Sequence, residues 1–303
     1  MAREYEKGAL DTKQAREYRY LTSLSANLRR VDEDISRGDS PWVYDGTRER
    51  VSFKPSRVRS FGQDLLWKHA DRWLLMSASI VSADEVLYGL GYDGAREVVR
   101  LGSSFPVRNR LVHVKPVGNM SRRAEGRDDG TVMASVRRIL FSHAQDRVLV
   151  HTVSYDRADR IVRVLRGLFP NRPIFAFTNA NSRPHALANY KRTEGSVLVG
   201  PALDRGVDLP DELCRVQIIV KVPFPNLGDK VVNARYHTRE GRTWYTVETV
   251  RTLVQMTGRA VRSEEDYAET WILDKAFGEQ LWARGGRELF PQWWKDAVVW
   301  ERV

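Results

Sequence analysis

The sequence predicts an α/β fold, a doubly wound parallel sheet preceded by a mostly helical segment with a hairpin. Three observations carry this. From residue 148 onward, short continuous apolar runs alternate with amphipathic stretches, as in strands buried on both faces and covered by helices. The first 40 residues instead place Leu21, Leu24, Leu28, Val31 and Ile35 at helical intervals in a charge-dense background. Between these regions, residues 42–44 and 51–53 flank the turn cluster Asp45, Gly46 and Thr47, which predicts the hairpin.

The elements follow in order. Residues 73–76 (Trp-Leu-Leu-Met) are a candidate buried strand, and Ser82 is placed to cap the next helix, with Glu85 at the capping-box position. Residues 98–101 and 111–114 read as short strands. The stretch 118–130 carries Arg122, Arg123, Arg127, Asp128, Asp129 and three glycines, and reads as a linker. Then come a strand at 148–150 and a helix near 156–169 with Ile161, Val164, Leu165 and Leu168 on one face. A strand at 174–177, a helix at 185–190 and strands at 197–199 and 216–220 continue the rhythm. A long helix over 247–261 and a strand at 270–273 close it. The expected division is 1–72 (helices and hairpin), 73–130 (a short α/β piece and linker), 131–295 (the main α/β domain) and 296–303 (a tail).

Composition narrows the function classes. With 303 residues and 42% hydrophobic content, about two domains with real cores are affordable, which excludes wholesale disorder. No run approaches the roughly 18 apolar residues of a membrane span, so no membrane partner is expected. A single cysteine, Cys214, excludes an internal disulfide framework and any four-thiolate cluster, and points to a reducing, cytoplasmic setting. It reads as inert core, and Trp282, Trp293, Trp294 and Trp300 read as apolar anchors. Six scattered histidines lack metal-ligand spacing, so no metal site is expected. Lys and Arg total 49 against 39 Asp and Glu, and this net +10 favours a polyanionic partner, nucleic acid first.

In a parallel sheet, ligands meet loops beyond the carboxyl ends of the strands. Three loops, all expected there, carry unusual groups. His151, Thr152, Ser154 and Tyr155 offer hydroxyls, an imidazole and a ring, suited to phosphate contact and base stacking. Arg205, Gly206 and Asp208 could meet a phosphate and a ribose, with a glycine to tighten the backbone. Gln255, Gly258, Arg259 and Arg262 form the third group; on a helix the two guanidiniums share a face and call for an anion between them. Taken singly, each also reads plainly: Ser154 capping a helix, an Asp/Gly/Pro turn, and a basic face solvated or paired with Glu264, Glu265 and Asp266.

In order, these motifs resemble those of superfamily 2 helicases. Gln255-x-x-Gly258-Arg259-x-x-Arg262 is similar to motif VI, residues 205–208 (Arg-Gly-Val-Asp) to motif V, and Ser77, Ala78 and Ser79 to the Ser-Ala-Thr of motif III. The wider string DLPDELCRVQIIVKVPFPNLGD, then WY, then LVQMTGRAVRSEEDYAETWILD resembles the C-terminal helicase domain of the DinG/XPD (Rad3-like) group. The likeness spans about 65–295 and is closest over 195–275. It implies a RecA-like second motor domain. Arg259 and Arg262 would then contact the γ-phosphate, with Gln255 and Gly258 shaping the same helix start and Gly206 and Asp208 on the nucleotide side. His151, Thr152, Ser154, Tyr155 and Arg205 would track single-stranded DNA, and Ser77, Ala78 and Ser79 would couple the halves. Ser79 stands where the family usually has threonine, which keeps the hydroxyl.

The phosphate loop of a helicase motor ends in Gly-Lys, and this sequence contains no such dipeptide. Asp84 and Glu85 follow the Ser-Ala-Ser segment, the wrong order for a Walker B pair, and the four cysteines of the XPD-type iron–sulfur cluster are absent. The expectation is therefore a half-motor, from a split gene of a phage or bacterium or a truncated one. Residues 1–72 would be a remnant of the inserted or first motor domain, and 73–130 the end of the first motor domain. A protein partner would carry Walker A and B and hold most of the ATP and Mg²⁺. The rival expectation is a helicase remnant that binds DNA without hydrolysis.

Overall fold

The computed structural model describes residues 5, 8, 11–38, 40–124, 126–177, 179–201 and 209–302. The chain runs through α1 (Thr12–Arg37), β1 (Trp42–Gly46), β2 (Val51–Pro55) and α2 (Ala83–Gly89). Then follow β3 (Val112–Gly118), α3 (Asp129–Ser142), β4 (Val148–His151), α4 (Tyr155–Leu168), β5 (Ile174–Ala176), α5 (Arg183–Arg192), β6 (Val197–Gly200) and β7 (Val216–Ile219). It closes with α6 (Lys230–Tyr236), α7 (Gly241–Thr257), β8 (Glu269–Asp274), a π-helical turn at Phe277–Trp282 and β9 (Val298–Trp300). No helix among the described residues is long and apolar enough to cross a membrane.

The chain divides into two compact units, each continuous in space but not in sequence. The smaller comprises Met1–Leu75, Asp84–Ala95 and Asn226–Arg242. Its α1 opens on a reciprocal capping box, Asp11 with Gln14, and ends at Gly38 in the left-handed region. The predicted hairpin forms, with Trp42 opposite Pro55 and Gly46 opposite Val51. Asp34, buried on α1, accepts from Trp42 Nε1 at 2.6 Å and Ser60 Oγ at 2.8 Å, which ties helix to hairpin. Gly62 is required where it stands, because a Cβ there would lie 1.9 Å from the Leu90 carbonyl oxygen.

The larger unit comprises Met76–Ala83, Arg96–Pro225 and Thr243–Val303. It holds a seven-stranded parallel sheet in the order β5-β6-β4-β7-β8-β3-β9. Consecutive strand residues point to opposite faces. Val148, Val150, Val197, Val199 and Ile218 meet α3 and α4 in one core. Ile219 and Ile272 meet Val247, Val250, Leu253 and Val254 of α7 in a second. Leu149 and Leu198 enter a third with Ala186 and Tyr190 of α5. Both faces are therefore covered, as the continuous apolar strands predicted, and the RecA-like α/β architecture stands.

Several elements differ from expectation. Residues 73–76 and 98–101 are not strands: Leu74 is 79% and Leu101 82% exposed, and neither run pairs with a described strand. Apolar composition makes a strand only when a neighbouring strand takes its backbone groups. On α4 the buried face is Ala158, Ile161, Val162 and Leu165, while Val164 and Leu168 lie outside it. The stretch 118–130 is no loose linker. Met120 and Ala124 are buried, Asp128 accepts from the Asn119 N–H at 2.7 Å, and buried Arg157 donates to the Met120 carbonyl at 3.3 Å. Residues 298–300, expected in a tail, pair with β3 as the sheet's edge strand. The tryptophan anchors hold: Phe277, Trp282, Phe290, Trp294 and Trp300 form one aromatic cluster, and Trp294 donates to Thr257 Oγ1 at 2.8 Å. Cys214 is fully buried, which pushes its thiol pKa up and leaves it inert.

Two polar devices brace the sheet. Asp274, buried at the carboxyl end of β8, accepts the N–H groups of Val222 at 2.9 Å, Ala276 at 3.1 Å and Met120 at 3.2 Å. Burial raises its pKa against the pull of those bonds. We predict that Asp274→Ala, which orphans three backbone donors, lowers stability by about 2–4 kcal/mol in urea titration. The second device is His143, whose Nε2 lies 2.8 Å from Glu269 and Nδ1 2.9 Å from Asp146. The Glu269 bond raises the His143 pKa, and burial only partly opposes it. A raised histidine pKa stabilises the fold fully below the unfolded value of about 6.5, and that contribution is lost as pH rises through the folded value. The Tm advantage of wild type over His143→Gln should therefore be full below about pH 6.5 and shrink as pH rises above it. A gap that widens with that rise would refute the assignment.

Candidate functional site

His151 ends β4 and residues 152–155 follow it, beside the point where strand order reverses between β4 and β7. His151 is 2% exposed, with Nε2 3.2 Å from Gln217 Oε1, and Thr152 is fully buried, donating to the Ser154 carbonyl at 3.0 Å. Both side chains are interior: His151 ends a central strand and Thr152 directly follows it. Ser154 caps α4 by accepting the Arg157 N–H at 3.3 Å, as its plain reading predicted. Tyr155, on the first turn, is 40% exposed and packs edge-on against Phe177 at 6.4 Å. Ser154 and Tyr155 are thus the members of this group that reach the surface. The turn is bent at Val153, whose φ of 69° is a left-handed conformation unusual for a β-branched residue. Nearby, a Cβ on Gly200 would come 2.3 Å from the Phe177 ring, so glycine is needed at the end of β6.

The stretch 258–262 lies elsewhere. Helix α7 ends at Thr257, so Gly258, Arg259 and Arg262 sit in the turn beyond it rather than on a shared helical face, and Gln255 and Gly258 mark a helix end, not a start. Because β8 is parallel to its neighbours, this turn leads into its amino end and not to the carboxyl ends where all three loops were expected. Ala260 and Val261 are buried in the third core with Leu209 and Cys214, which holds the turn down between its two arginines. Arg259 is half-buried and Arg262 exposed. Of the acidic residues weighed as ion partners, Asp266 accepts the backbone N–H of Arg262 at 3.0 Å, while its charge is met by Arg215 at 2.6 Å.

The Ser77–Ser79 segment joins the group at 255–262. Ser79, 9% exposed, accepts from Gln255 Nε2 at 3.0 Å, and its Oγ lies 3.3 Å from that of Ser77. Ser77 and Ala78 are exposed. Arg205, Gly206 and Asp208 lie outside the described residues. Reading the sequence missed Arg215, Gln217 and Asp266. Nothing local separates Asp266 from Glu264 and Glu265, since its partner Arg215 lies 51 positions away. Among the described residues no cluster of histidine, cysteine and carboxylates could hold a metal ion.

The helicase C-terminal domain model matches residues 138–297, just over half of the chain. The chain belongs to the helicase C-terminal domain family. Over 188 residues it is 28% identical to the XPD helicase subunit of general transcription and DNA repair factor IIH from Dictyostelium discoideum, covering 55% of this chain and 23% of that protein. Over 258 residues it is 24% identical to the ATP-dependent DNA helicase DinG of Photobacterium profundum, covering 80% of this chain and 37% of DinG. This helicase domain thus spans well under half the length of either relative. A solved XPD helicase shares its fold with a TM-score of 0.63 at 17% identity, covering 91% of this chain and 50% of that one. The DinG/XPD resemblance and the RecA-like fold both stand on these findings.

The strain at Val153 gives a direct test. A left-handed residue with a Cβ costs about 1–2 kcal/mol, and glycine returns about 0.5–1 kcal/mol of that as chain entropy. Val153→Gly should therefore raise stability slightly, by about 0.5–1 kcal/mol, in urea titration. A loss of stability would mean that packing of the isopropyl group outweighs the strain.

Proposed function

We propose that this chain is the C-terminal half of an ATP-dependent DNA helicase of the DinG/XPD type, working with an ATP-binding half whose Walker motifs its own sequence does not contain. The observation that carries this reading is the Gln255–Ser79 hydrogen bond, which links the last turn of α7, just before Arg259 and Arg262, to the Ser-Ala-Ser segment. A coupling segment must move with the phosphate-sensing turn, and a direct bond between them lets it do so. Arg259 and Arg262 would meet the terminal phosphates of ATP, where a guanidinium neutralises charge developing in phosphoryl transfer. Gly206 and Asp208 would stand on the nucleotide side. The partner's Walker residues would hold Mg²⁺. Ser154, Tyr155 and Arg205 would line the DNA track, with Tyr155 offering a ring for base stacking. The net +10 of the sequence suits a polyanion.

The test is DNA-stimulated ATP hydrolysis by this chain alone and mixed with the product of the neighbouring reading frame, each with and without Arg259→Ala. The expected result is activity in the mixture only, falling at least about 10³-fold with Arg259→Ala. Activity of the chain alone that survives the substitution would place a nucleotide site elsewhere. Single-stranded DNA binding with no hydrolysis in any mixture would instead identify a non-catalytic DNA-binding remnant.

A further inference from the structure

Asp266 is a buried carboxylate with four ligands, two on each oxygen. Oδ1 takes Arg215 Nη1 at 2.6 Å and the Tyr267 N–H at 2.9 Å. Oδ2 takes the Arg262 N–H at 3.0 Å and the Asp211 N–H at 3.4 Å. Arg215 is itself fixed: it donates to the Tyr267 carbonyl at 2.8 Å and Glu212 at 2.9 Å, and lies 4.0 Å over the Tyr267 ring. Oδ2 therefore joins two stretches distant in sequence. One is the turn bearing Arg259 and Arg262. The other begins three residues after Asp208, at Asp211, whose φ of 54° is left-handed. Asp adopts this conformation more readily than most residues, and the bond to Asp266 helps hold Asp211 in it.

We propose that Asp266 is a positioning residue that sets the spacing between the Arg262 turn and the segment following Asp208, and so presents Arg262 to the nucleotide. This deepens the helicase reading and rests on it. The carboxylate never touches nucleotide; it acts through the backbone of Arg262. A reacting group misplaced by about 1 Å can cost about 10²-fold in rate, so an anchor on the main chain of a phosphate-contacting arginine has kinetic weight. The neighbouring Glu264 and Glu265 are exposed and cannot substitute.

Amide hydrogen exchange on the isolated chain tests the anchor without any nucleotide. In Asp266→Asn, residues 211–214 and 259–263 should exchange at least about tenfold faster together, while β8 remains protected. Arg215→Lys keeps the charge but loses the fork, and should give a smaller loss at the same two segments, which covers the case in which Asp266→Asn does not fold. Acceleration at only one segment, or equally throughout the sheet, overturns the proposal. In the reconstituted motor, Asp266→Asn should lower kcat about 10–100-fold with the KM for ATP within about threefold, and should cause no further loss in an Arg262→Ala background. Losses that multiply in the double variant overturn it as well. If Arg262→Ala alone leaves kcat unchanged, the nucleotide-facing role of Arg262 falls, and with it the proposal, whatever the exchange result says of the anchor.

Discussion

The ion pair between Arg215 and Asp266 is the constraint around which the larger unit is arranged. A carboxylate withdrawn from water costs several kcal/mol unless its lone pairs are filled, and a single cation seldom repays that. Here three backbone N–H groups add to the guanidinium. The outcome is geometric. Arg215 directly precedes β7 and Asp266 stands three residues before β8, so the pair fixes where both strands enter the sheet. At the far end of β8, Asp274 repeats the solution with three backbone donors. One strand is thus bracketed by two buried carboxylates, and the turns around it inherit fixed positions.

Those turns gain their arrangement by a simple division of labour. Apolar residues are drawn into the cores and leave polar neighbours outside. Ala260 and Val261 are buried between Arg259 and Arg262, and Thr152 is buried two positions before exposed Ser154. The same logic explains why His151 is not at the surface. It ends a central strand flanked by β6 and β7, where an imidazole is tolerated because Gln217 supplies a hydrogen-bond partner. A group that looked exposed by sequence neighbourhood was interior by strand position.

The Ser79–Gln255 bond has a similar character. The two residues are 176 positions apart, yet they fall in the two stretches whose motif order first pointed to a helicase. A serine hydroxyl can accept from the glutamine amide as a threonine would, so the departure from the family's usual residue keeps the contact.

The sequence by itself determined the sheet and its covering helices from residue 148 onward, because there continuous apolar runs of strand length alternate with amphipathic stretches that can cover both faces. It also determined the motif order and hence the family, and the capping role of Ser154. It did not determine that 73–76 and 98–101 stand outside the sheet, since an apolar run is the same whether or not a neighbour pairs with it. Nor did it place Arg259 and Arg262 beyond the end of α7, because a spacing of three fits a turn as well as a helix. The role of Asp266 was invisible for the same reason. Its partners come from two other stretches of chain, and a hydrogen bond acts over 3 Å in space whatever the separation in sequence. Only the folded chain decides which of three neighbouring acidic residues is the one turned inward.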